Sequence, residues 1–469
     1  MAIVNNPKTL DLSDIQGMVV RGYGKLAETA YFLLKVEDKT KAKQWIKDIL
    51  PKIDSADYET SVERTLHLAF AVNGLSELGL DPENVNNFPN PFREGISTNN
   101  RNRILGDYGE NDPSKWRWGS DNNEHIVLIL HAKNRTEMTN FIAEEKAIIE
   151  QNGGVSITRE MSGFLPEDKK EPFGFHDGIS QPVIKGSGRS GPENDIVAAG
   201  EFILGQKNEH DQYPFSPLLE KEQGNLTLLK KDAAGSGKMD LGRNGTFMVF
   251  RQMEQHVDLF WDTMYEKTKN SDGSLNKEAG IKLASKCIGR WPSGASLVNF
   301  PDADPGDSLA NDDFGYAKDD PNGKKCPFGS HLRRNNPRDS FRWYDAKQSL
   351  KITRRHRIIR RGRNYHEEIN GQKEIGLQFI CFNANIQLQF EFIQHAWSNN
   401  NQMRNTTNDV DVIIGVPAEG NPHNTEGQFT IQNDPVNEFV DDWKPFVNIK
   451  GGAYYFFPSI SVINYLTTI

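Results

Sequence analysis

Cysteine is scarce: three residues, Cys287, Cys326 and Cys381, in a chain of 469. An odd count at wide spacing fits neither a disulfide framework nor a CxxC metal knuckle, so reduced thiols are expected. No apolar run of 18 residues occurs, which excludes an ordinary membrane-spanning helix. The opening Met1-Ala2-Ile3-Val4-Asn5-Asn6-Pro7 lacks a basic stretch followed by a long apolar one. Neither a signal peptide nor a membrane anchor is therefore expected, and the expected location is cytoplasmic. Positive charge is also short. A net charge of −9 argues against phosphate-backbone binding, so nucleic acid is not an expected partner.

What is present is enough chain to bury a large core in two lobes. Ala30 to Val36 is a compact β-type run, and Ala42, Trp45, Ile46, Ile49 and Leu50 after it share one helical face. Further strands are predicted over Arg64 to Val72 and His125 to His131, with helices over Leu75 to Leu80 and Arg135 to Gln151. The second half repeats the rhythm. Strand Thr246 to Arg251 leads to helix Met253 to Tyr265, strand Ile375 to Phe382 to helix Leu388 to Trp397, and strand Ala453 to Phe457 to a terminal helix. This predicts an α+β chain of two ferredoxin-like lobes, residues 1–235 and 236–469, each a mostly antiparallel sheet with packed helices. Polar tracts rich in Gly, Asn, Asp and Pro separate the strands, notably Asp302 to Lys325 and Asn405 to Asn437. Such long connections are where function tends to sit.

Three segments could carry chemistry. Gly174-Phe175-His176-Asp177-Gly178-Ile179-Ser180-Gln181-Pro182 sets a carboxylate between glycines and beside an aromatic, although a DG pair is more often only a turn. Cys326-Pro327-Phe328-Gly329-Ser330-His331, followed by Arg333-Arg334-Asn335-Asn336-Pro337-Arg338, places a histidine before a basic run. One imidazole can ligate iron and guanidinium groups can clamp carboxylates, but the chain has eleven histidines and spacing alone does not select this one. Arg354-Arg355-His356-Arg357-Ile358-Ile359-Arg360-Arg361-Gly362-Arg363-Asn364-Tyr365 reads by itself as a phosphate patch or a charged edge strand.

Taken together and in this order, the three segments resemble the dye-decolourising peroxidase family, in particular its longer members. Gly174 to Gly178 matches that family's GxxDG motif. The resemblance extends to Asp14-Ile15-Gln16-Gly17 and Arg21-Gly22-Tyr23-Gly24, to Gly200 to Gly205, to Gly289 to Gly294 and to Gln389 to Gln394. It implies a haem b enzyme, with the haem bound chiefly by the C-terminal lobe, that reduces hydrogen peroxide and oxidises anthraquinone dyes and phenols through a ferryl intermediate. It also implies roles: Asp177 as distal acid-base residue, His331 as iron ligand and Arg360 over the iron. Arg338 and Asn336 would lie at a propionate, Leu377 and Phe379 would wall the distal pocket, and Tyr365 would be a surface tyrosine passing electrons from large donors. Arg360 rather than its neighbour Arg361 follows from the motif match, and a one-residue slip would reverse it. Glu391 is a weak candidate for the carboxylate behind His331, and His176 is given no role. With an aspartate as acid-base group, dye oxidation is expected to peak at acidic pH. The alternative is a haem-handling protein with little turnover. A homo-oligomer is compatible with the sequence.

Overall fold

The computed structural model describes residues 3–57, 62–121, 123–341, 344–403, 406–416 and 427–469. In the first half, strand β1 (Glu28–Val36) leads to helix α1 (Lys39–Ile49), whose N-cap Asp38 accepts a hydrogen bond from the Lys41 amide. Strands β2 (Arg64–Phe70) and β3 (Ile126–Ala132), helix α2 (Arg135–Asn152) and strand β4 (Val155–Phe164) follow. In the second half come β5 (Thr246–Gln255), α3 (Val257–Lys267), α4 (Lys277–Ile288), the short α5 (His331–Asn335) and α6 (Ala346–Arg354). Strands β6 (Ile359–Arg360), β7 (Arg363–Ile369) and β8 (Gln372–Asn383), then β9 (Val447–Phe457) and helix α7 (Ile460–Leu466), complete it.

Each half has the ferredoxin-like strand order, β2-β3-β1-β4 in the first and β9-β5-β8-β7 in the second. The expected separation into two sheets does not hold. The halves fuse edge to edge, with Phe70 paired to Phe456 and Phe164 to Asn364, so that eight antiparallel strands close into one barrel. Four edge strands would otherwise expose unpaired backbone groups, and closure removes them.

Closure also explains why β1 is buried on both faces. Tyr31 and Leu33 point into the barrel with Ile380, Phe382 and Phe457. Ala30, Phe32 and Leu34 pack outward against Trp45, Ile46 and Phe141 on the helices. The helix expected from Met253 starts at Val257 instead, because Met253 still pairs with Leu377 in the ladder. The helix expected over Leu388 to Trp397 is wide-turned, with Glu391 bonding back to Ile386 and Asn399 to Gln394. Among the described residues no helix is long and apolar enough to cross a membrane.

Candidate active site

A cavity of about 370 Å³ lies between the outer face of β5 and β8 and the helical layer that carries His331. That volume is within the range of small-molecule and cofactor sites. Its apolar wall includes Met253, Leu377, Phe379, Phe390, Ile288 and Val412. Leu377 and Phe379, alternate residues of β8, face it together. Most of the lining comes from the second half of the chain, joined by residues 105–111 and 171–177 of the first.

Asp177 reaches the cavity from a loop whose flanking glycines, Gly174 (φ 94°) and Gly178 (φ 83°), hold left-handed backbone that other residues resist. Its Oδ1 accepts hydrogen bonds from the Gly178 amide at 2.6 Å and from Arg360 Nη2 at 3.1 Å. Strand alternation decides between the two arginines. Ile359, Arg361 and Arg363 turn into the barrel, where Arg361 donates to the carbonyls of Met18 (2.8 Å) and Val19 (3.0 Å) and Arg363 donates to Thr29 (3.1 Å). Arg360 turns outward to the cavity. The arginine-rich segment is therefore largely spent inside the fold. Arg357 too is buried, facing Asp195 at 3.8 Å.

His331 lines the cavity at the start of α5. Its Nδ1 lies 2.9 Å from Asp411 Oδ2, and Asn335 Nδ2 donates to the same carboxylate oxygen at 2.9 Å. Asp411 is buried, and its Oδ1 accepts the amides of Ile413 and Ile414 at 2.9 and 3.1 Å. With Nδ1 fixed in this way, Nε2 is the nitrogen available to a ligand. The carboxylate behind His331 is thus Asp411 and not Glu391. Glu391 is occupied elsewhere, accepting from Arg101 at 2.7 Å and from the Tyr454 hydroxyl at 2.9 Å. Nothing local in the sequence marks Asp411, which lies 80 residues beyond His331 in a polar tract.

Three further expectations meet the structure differently. Tyr365 is not at the surface. It sits at an odd, inward position of β7, fully buried, and its hydroxyl donates to Glu374 Oε1 at 2.7 Å. Asn336 and Arg338 do not line the cavity. Arg338 is paired with Asp312, which also binds Arg290, while Asn336 Nδ2 is 3.4 Å from Ser180 Oγ. Sequence reasoning missed Glu171, a carboxyl in the cavity wall that accepts from the amides of Phe173 and Phe175 and from Gln255. Burial pushes its carboxyl up to about 7.

The chain matches two family profiles, "Dyp-type peroxidase, C-terminal" over residues 227–412 and "DyP dimeric alpha+beta barrel domain" over residues 14–163. A dye-decolorizing peroxidase of Mycena epipterygia is 30% identical, covering 97% of this chain and 86% of its own length. The multifunctional dye peroxidase DyP2 of an Amycolatopsis species is 29% identical over 76% of this chain and 74% of its own. The crystal structure of a DyP-type peroxidase from Auricularia auricula-judae superimposes with a TM-score of 0.78 at 25% identity, covering 98% of this chain and all of that one. The paired halves, the cavity and these matches agree, and the chain belongs to the dye-decolorizing peroxidase family.

Proposed function

We propose that this chain is a haem peroxidase that reduces hydrogen peroxide and oxidises organic donors such as anthraquinone dyes and phenols. The observation that carries this reading is one apolar cavity holding both an imidazole backed by a buried carboxylate and an aspartate paired with an arginine. The peroxidases of the family are haem enzymes, and the donor set suits haem. His331 would bind iron through Nε2, with Asp411 strengthening it as a ligand. Leu377, Phe379, Phe390 and Ile288 would cover the macrocycle. Haem bound here would supply the electrons that peroxide takes up.

The proton chemistry belongs to the chain itself. Peroxide must lose a proton from one oxygen and gain one on the other as its O–O bond breaks. In Asp177, Oδ1 is held by Arg360 and the Gly178 amide, which leaves Oδ2 to take the proton and return it. Arg360 stays charged and stabilises the negative charge that develops on the departing oxygen. A haem-handling protein would need the imidazole and the apolar walls, but neither Asp177 nor Arg360. Their contact therefore favours turnover.

The test is His331→Ala. It should fold with unchanged circular dichroism but bind haem at sharply lower occupancy, because the one bond from protein to iron is gone. Full occupancy with an unchanged iron spectrum would assign the ligand to another histidine.

A further inference from the structure

A side-chain bond of 3.1 Å joins Arg360 to Asp177, and the loop holds Arg360 a second time through the residue four beyond Asp177. Gln181 Oε1 accepts the Arg360 backbone amide at 3.1 Å, and Gln181 Nε2 donates to the Arg360 carbonyl at 3.3 Å. These two bonds give β6, at the end of its run of paired strands, the partner that a neighbouring strand would supply, while Arg360 pairs with Cys381 on its other side. The amide is itself anchored. Ser180 beside it donates to Asp312 at 3.0 Å, and the Ser180 carbonyl accepts from Arg357 at 3.3 Å.

We propose that Gln181 is a positioning residue, which clamps the main chain of Arg360 to the loop that carries Asp177 and so sets the two side chains at contact. The proposal rests on the reading above that these two residues serve peroxide reduction. Gln181 does not line the cavity; it acts through Arg360.

The chemistry of an amide supplies a specific test. A glutamate has the same shape, and its protonated carboxyl can still accept from the Arg360 amide and donate to its carbonyl. The ionised form can only accept, and it sets a negative charge against a carbonyl. Gln181→Glu should therefore be rescued by acid, whereas Gln181→Ala should not.

Three readouts apply. In the haem-free protein, amide hydrogen exchange at Arg360 should speed up by roughly tenfold or more in Gln181→Ala, with exchange in β1 and β3 unchanged. In the reconstituted enzyme at neutral pH, both variants should keep wild-type haem occupancy but react with peroxide roughly tenfold more slowly. The rate of Gln181→Glu divided by that of wild type should climb toward one as pH falls through the carboxylate range, while the same ratio for Gln181→Ala stays flat. Unchanged Arg360 exchange in Gln181→Ala would overturn the proposal, as would a flat ratio for Gln181→Glu. If Gln181→Ala does not fold, the isosteric Gln181→Glu decides the matter by its pH ratio and by its exchange above and below its titration. If wild type itself does not react with peroxide, the functional reading fails, and exchange at Arg360 still tells whether Gln181 clamps it.

Discussion

On the proposed function, Asp177 would exchange a proton and His331 would hold the iron, and their surroundings suit those tasks. Replacing Asp177 by Asn preserves shape and removes the proton, so the variant should bind haem normally and react with peroxide roughly 10²–10⁴-fold more slowly in stopped flow. Asp411→Asn removes the negative charge behind His331 and leaves the amides of Ile413 and Ile414 a weaker acceptor. The bound iron should then show a higher midpoint potential by spectroelectrochemical titration, with activity lower by about 10–100-fold. An unchanged potential would mean that Asp411 serves only to hold its loop. For Tyr365 the structure replaces an electron-transfer expectation with a stability one. Tyr365→Phe breaks the buried bond to Glu374, although Glu374 keeps Arg117. Denaturant titration should show a loss of about 1–3 kcal/mol, and the ratio of large-dye to small-phenol turnover should stay as in wild type.

At the scale of elements, the sequence made the strands and helices with strong apolar patterns legible: β1, α1, β3 and α2 lie within a few residues of expectation. It concealed the elements whose burial comes from closure. Strand β4 carries Arg159 and Glu160, and β7 carries His366, Glu367 and Glu368, so neither shows an apolar period. These two strands form a seam of the barrel, where backbone pairing rather than side-chain burial sets their place. The site followed the same logic. Asp177, His331 and Arg360 could be named from motifs and family resemblance, but Asp411 and Glu171 reach the cavity only through the fold. The direction of Tyr365 was open to the alternation that selects Arg360, since residues five apart along a run that stays extended face opposite ways. The close approach of β8 to β5 and β7 gives an element-scale prediction. A Cβ on Gly376 would stand 2.0 Å from the Met253 carbonyl oxygen and 2.6 Å from the Tyr365 ring. Gly376→Ala should therefore cost about 1–3 kcal/mol of stability by chemical denaturation. A loss below a few tenths would show that the strands can part without penalty.

The whole molecule has an acid limit built into its barrel. His67 lies fully buried in the barrel with neither ring nitrogen bonded, and burial pushes it down to about 3. Burial, with Arg363 nearby, holds His131 well below its ordinary value as well. Between their ordinary value near 6.5 and these lowered ones, the unfolded chain takes up protons that the barrel refuses. Acidification across that range costs about 1.4 kcal/mol per pH unit for each such histidine. Glu171 and Glu201, pushed by burial from 4.5 up to about 7, act in the opposite sense. The folded protein keeps protons there that the unfolded chain has released, so their contribution is present below about 4.5 and lost as pH rises through 7. The two effects oppose each other from about pH 4.5 to 6.5, and below 4.5 the histidines act without that compensation. In the haem-free protein, replacing His67 by a residue that does not titrate should therefore shift the denaturation midpoint upward relative to wild type as pH falls below 6.5. A difference between the two proteins that does not change with pH would show that the barrel accommodates a charged His67.

On the proposed function, the cavity joins an imidazole that would bind iron to an aspartate–arginine pair that would move protons. The decisive measurement is stopped-flow absorption of the haem-reconstituted protein mixed with one equivalent of hydrogen peroxide, run beside Asp177→Asn. The Soret band should shift rapidly in the wild type, and the same starting band should shift roughly 10²–10⁴-fold more slowly in the variant. A wild-type band that does not respond to peroxide would rule out the peroxidase reading, and equal rates in the two proteins would take the proton transfer away from Asp177.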